Sequence, residues 1–166
     1  MDYESLNKED FDAIVTGELT HFALWFEDHL SRLISAYFSR QDRKKQFHRI
    51  LLDRNGMTFQ DKIDIVRCMA ELPDLKAITQ SISLPWILSQ IEKFKSHRNA
   101  LAHGSDVSSN DGAPHLRVEI VNRSGKEVVY EVTPKTHRET LRKAEELMSS
   151  MSRAMGKLHR KMHTNS

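Results

Sequence analysis

Leu84-Pro85-Trp86-Ile87-Leu88-Ser89-Gln90-Ile91-Glu92-Lys93-Phe94-Lys95-Ser96-His97-Arg98-Asn99-Ala100-Leu101-Ala102-His103-Gly104 is the stretch that decides the fold class. At about 100° per residue, Leu84, Ile87, Leu88, Ile91, Phe94, Leu101 and Ala102 share one apolar stripe. The spacing predicts a long amphipathic helix that starts around Ser83 with Pro85 in its first turn. Arg98 points along the centre of the stripe, while Asn99 and His103, four apart, stand together on its flank. A cation where a core residue belongs costs several kcal/mol unless it is paired or reaches solvent. Arg98 is therefore expected to open onto a polar cleft or a partner surface. An Arg, an amide and an imidazole at one helix end have the chemistry to bind and cleave a phosphodiester.

Upstream, Phe11, Val15, Phe22, Phe26, Leu33 and Tyr37 keep a helical period from about Phe11 to Phe38, with Gly17 as a residue able to kink or split the helix. Gln41 to Asp53 carries Phe47, Ile50, Leu51 and Leu52 among basic residues and predicts a further helix. Asn55-Gly56 is a turn signal. Thr58, with Asp61 three positions on, reads as the cap of a helix that buries Phe59, Ile63, Val66 and Met69 and ends near Pro73. Lys62 borders that stripe and reads as a snorkelling side chain.

Beyond Gly104 the period changes. Ser105 to Pro114 is a polar loop. Leu116, Val118 and Ile120 then alternate with polar residues, as do Val128, Tyr130 and Val132, with Ser124-Gly125 between the runs. A β-hairpin over about residues 115–132 is predicted. Thr133-Pro134 opens the last helix, over about 134–162, whose stripe is Leu141, Ala144, Met148, Met151, Met155, Leu158 and Met162. With no repeat and no second domain, the expected architecture is all-α. It is an antiparallel helical bundle in one domain, residues 1–166, with a β-hairpin inserted before the C-terminal helix.

Composition narrows the function. Over 166 residues, 39% apolar and 29% charged is a globular balance, and a net charge of +2 gives no bulk polycation signal, so any nucleic acid would meet a local patch. Cys68 is the only cysteine, which excludes an internal disulfide and a Cys-rich metal site and fits a reducing cytoplasm. The nine His residues show no zinc-site spacing, and no apolar run is long enough to span a bilayer. Met1-Asp2-Tyr3-Glu4 is acidic, without a signal-peptide pattern. A cytoplasmic protein with no membrane partner, no cofactor and no metal is expected.

Arg98-Asn99-Ala100-Leu101-Ala102-His103 resembles the signature of HEPN domains, in which an Arg, then a polar residue, often Asn, precedes a His after four to six positions. Phe59-Gln60-Asp61-Lys62-Ile63 is similar to a segment on the preceding helix in several HEPN groups. The order of helices, with the motif on a late helix and one more helix after it, is similar too. The resemblance covers roughly Phe11 to Met162 and implies a metal-independent endoribonuclease or a derived RNA-binding module, often a homodimer with two motifs facing one cleft. Carried over by position, His103 would be the general acid/base, Arg98 the phosphate and transition-state clamp, and Asn99 a positioning group. The attacking nucleophile would be the 2′-hydroxyl, which restricts the substrate to RNA. A defence, stress or toxin setting, with an antitoxin or other protein partner, comes from the resemblance alone. One departure is Ser105, which stands where HEPN toxins paired with nucleotidyltransferases carry Tyr.

Other readings of the same residues stand beside these. Arg98 in an ion pair, with Glu18 and His29 of the first helix as candidate partners, is one. His103 as a C-terminal helix residue favouring the dipole, with Gly104 as a helix stop, is another. Asn99 reads equally as a solvated amide. His21, His29, His48 and His97 read as structural or exposed, and Arg43, Lys44 and Lys45 as a solvated face. For the whole chain, the alternatives are a non-catalytic module that binds RNA, nucleotide or protein, and a structural dimeric adaptor.

Overall fold

The computed structural model describes residues 1–39, 42–53, 57–108, 113–121 and 125–164, with side chains to residue 160. Asn55-Gly56, Ser124, residues 109–112 of the polar loop and the side chains of Lys161, Met162 and His163 lie outside the described residues. The elements run α1 (Lys8–Phe38), α2 (Lys44–Phe47), α3 (Phe59–Ala70), α4 (Lys76–Ser81), α5 (Leu84–His103), β1 (Ser105–Asp106), β2 (Leu116–Val121), β3 (Glu127–Val132) and α6 (Pro134–Thr164). The fold is mainly helical, with one small antiparallel sheet late in the chain. Among the described residues, no helix is long and apolar enough to cross a membrane.

Helix α1 starts three residues earlier than its apolar period. Asn7 caps it, its Oδ1 accepting from the Asp10 amide at 2.8 Å while its Nδ2 donates to Asp10 Oδ2 at 2.9 Å. The helix runs unbroken past Gly17, which faces open space. Thr58 and Asp61 form the reciprocal cap expected for α3. The helix read over Gln41–Asp53 forms as α2 running on into a wider π turn at His48–Leu52. Of its apolar residues only Leu52 is buried. Helix α4 escaped the sequence reading because six residues are too few to show a period; Thr79 Oγ1 ties it to Ala70 O at 2.8 Å.

The chain divides into two compact units. One joins Met1–Ala23 to Lys93–Glu145, the other Leu24–Glu92 to Glu146–Ser166. In the second unit the core is supplied by Phe26, Leu30, Leu33 and Ile34 of α1, Ile63 and Val66 of α3, Ile87, Leu88 and Ile91 of α5, and Met151 and Leu158 of α6. Lys62 does not snorkel there. It is 5% exposed and its Nζ sits 2.7 Å from Glu27 Oε1.

In the first unit the core is Phe11, Val15 and Leu19 of α1, Phe94 and Ala100 of α5, Leu116, Val118 and Val132 of the hairpin, and His137 and Ala144 of α6. The hairpin register pairs Leu116 with Val132, Val118 with Tyr130 and Ile120 with Val128, so the two alternating runs share one face. Gly125 turns the hairpin at φ 77°. Strand β1 was not anticipated; it adds to β2 through Ser105–Glu119 and Asp106–Val118. Lys8 Nζ lies 2.7 Å from Asp106 Oδ2 and holds that carboxyl down to about 2.

Candidate functional site

Helix α5 ends where the small sheet begins. Gly104 keeps the helical bond, its amide donating to Ala100 O at 2.7 Å, and its φ is not in the left-handed region. It is a site of close approach rather than an ordinary glycine stop. A Cβ there would meet Val118 Cγ1 at 2.4 Å, Ala100 O at 2.6 Å and Glu119 O at 2.7 Å. The tight seat of β2 against this point explains why the buried face of α5 rotates in its last turn. Ala100 is buried instead of Leu101 and Ala102, which are half-buried and exposed.

Arg98 is half-buried, and its Nε is shielded from solvent without a hydrogen-bond partner among the described residues. Neither expected ion-pair partner takes that place. Glu18 bonds to His137 and Tyr3, while His29 stacks on Trp25 at 3.6 Å with its Nδ1 at 2.9 Å from Trp25 O. Asn99 is half-buried and His103, the last residue of α5, is exposed. Asn99 and His103 lie one turn apart on the same flank. Arg98 is about 140° from His103 around the helix axis, so a ligand shared by guanidinium and imidazole would need the long reach of the Arg98 side chain.

The same unit holds a buried polar network that the sequence reading did not find. His137 is 1% exposed and its Nε2 stands 2.6 Å from Glu18 Oε2. The Tyr3 hydroxyl donates to the same carboxylate at 2.9 Å, and burial together with Glu18 pushes the phenol up to about 12. Tyr3 and Phe11 both meet the His137 ring edge-on. His97 lies 5.4 Å from the Tyr130 ring of β3. Burial pushes its imidazole below the usual His range, and the nearby His137 adds to that. The signal for His137 was available: it precedes Leu141 and Ala144 by four and seven residues, so extending the α6 stripe by one turn reaches it.

His97 Nε2, Arg98 Nε and His137 Nδ1 are the buried side-chain nitrogens without partners among the described residues, and all three belong to this unit. An unsatisfied buried group costs about 1–3 kcal/mol, so three in one region are a feature that stability alone does not explain. Among the described residues, no three His, Cys, Asp or Glu side chains are grouped to hold a metal ion. Ser105, in the position of the toxin-family Tyr, lies on β1 opposite Glu119. No protein-family model, no curated protein and no solved structure matches this chain.

Proposed function

We propose that the chain is a HEPN-like endoribonuclease that works without a metal ion, as a homodimer, with Arg98, Asn99 and His103 as its catalytic residues. The observation that carries this reading is the Arg98 guanidinium. It leaves an apolar helix face, has a shielded donor with no partner among the described residues, and sits in the same turns as the exposed His103 imidazole. A guanidinium presents a rigid fork of donors to the non-bridging oxygens of a phosphate, and those bonds strengthen as charge builds in the transition state. His103 takes the proton of the 2′-hydroxyl. The resulting oxygen bonds to phosphorus, the bond to the 5′-oxygen breaks, and that oxygen receives its proton from water or from the second copy's imidazole. The products are a 2′,3′-cyclic phosphate and a 5′-hydroxyl. Asn99, on the His103 flank, orients the strand.

Replacing one ribose by deoxyribose in an otherwise identical RNA tests this chemistry. Cleavage should vanish at the bond 3′ of the substituted nucleotide and continue elsewhere. Cleavage at that bond would rule out 2′-hydroxyl attack. RNA binding without any cleavage would instead favour the non-catalytic module.

A further inference from the structure

Within the second unit, the head of α5 and the later part of α6 enclose a groove of about 550 Å³ lined by Ile82, Ser83, Trp86, Ser150, Arg153 and Lys157, among others. Its volume is that of a small-ligand site. Trp86 leaves 56% of its surface exposed and makes no ring contact among the described residues. Arg153 and Lys157, one helical turn apart on α6, are both exposed, and neither meets a carboxylate among the described residues. Ser150 holds the Arg153 guanidinium: its hydroxyl donates to Glu146 O at 2.9 Å and accepts from Arg153 Nη2 at 3.2 Å. Ser83, at φ 53°, holds the corner before α5 in the left-handed region, where an L-residue stays only against strain.

A flat π surface, two unneutralised cations and two hydroxyls in one groove ask for a ligand with a planar ring, a sugar and an anion. We propose that this groove binds a nucleoside phosphate, with its base stacked on Trp86 and its phosphate held by Arg153 and Lys157. Stacking tolerates any base, because every base has a π face. The fork of Arg153 suits phosphate oxygens, and Lys157 adds a point charge beside it. The proposal uses none of the Arg98 site residues and stands or falls independently of the ribonuclease reading.

The test is calorimetric titration of the full chain carrying His103→Ala, so that no strand is cut. The ligands are AMP, adenosine, ribose 5-phosphate and a short oligoadenylate. AMP should bind saturably, with adenosine and ribose 5-phosphate each weaker by about tenfold or more. Trp86→Ala, and separately Arg153→Gln with Lys157→Gln, should each weaken AMP by about tenfold or more, with the helical circular dichroism unchanged. An oligoadenylate that binds tighter than AMP through the same residues identifies a nucleic-acid strand as the source of the nucleotide. Equal affinities identify a free nucleotide, and either result supports the site. Binding that is the same in the variants as in the parent overturns the proposal, as does the absence of AMP and oligonucleotide binding at millimolar concentration.

Discussion

Arg98 separates two demands on one residue. Stability asks for an apolar side chain at that point of α5, whereas the proposed chemistry asks for a guanidinium. Its shielded Nε has no partner among the described residues to lose. Arg98→Ala should therefore leave the melting temperature unchanged or raised, while RNA cleavage falls by about 10²–10³-fold. A large drop in melting temperature with cleavage intact would make Arg98 structural. His97, one residue earlier, gives a pH signature. Burial holds its imidazole below the ordinary value near about 6.5. Above that pH it is neutral in both folded and unfolded chains and adds no slope. Below it the unfolded chain takes up a proton that the folded chain refuses, so stability falls as pH drops, until the folded group also protonates. Urea unfolding at pH 7.5 and 5.5 should show a smaller acid loss in His97→Phe than in the parent. Equal losses would mean that other groups set the slope.

Elements show where sequence alone was sufficient. A period near 3.6 in α1, α3, α5 and α6, and a period of 2 in the hairpin, follow from residues such as Phe11 and Val15 or Leu116 and Val118, which alternate with polar neighbours at the right step. The site was legible as far as Arg98 standing against that pattern. His137 was missed because the α6 stripe was stopped one turn short of it, and its pairing with Glu18, 119 positions away, is a tertiary event that no local pattern announces. The role of Gly104 was also hidden, since a close approach to β2 looks in sequence like any helix-ending glycine. Gly104→Ala places a methyl group against two backbone oxygens that cannot move away singly, Ala100 O and Glu119 O. It should cost about 1–3 kcal/mol in denaturant unfolding. A neutral result would mean that β2 sits loosely on α5. In the second unit, Lys62 was expected at the surface and is instead paired inside. Lys62 is buried while the Glu27 side chain is 26% exposed, so removing the acid strands a buried cation. Glu27→Ala should cost about 3–5 kcal/mol. Lys62→Met should cost less, because water rehydrates the freed carboxylate. The reverse order would show that Glu27 is not what compensates the buried Lys62 charge.

For the whole molecule, one imidazole cannot both take the 2′-hydroxyl proton and stand ready to protonate the leaving oxygen. The proposed two-fold pair of chains would supply the second. Light scattering at micromolar concentration should give twice the 19.3 kDa chain mass. A monomer with and without RNA would leave the leaving oxygen to water. The claim at the centre is that the His103 imidazole moves the proton in RNA cleavage. It is tested most directly by the rate at which purified chain cuts single-stranded RNA in EDTA, parent against His103→Ala. The variant should fold as the parent does and cut about 10²–10⁴-fold more slowly. Equal rates, or cleavage that appears only when Mg²⁺ is restored, would contradict it.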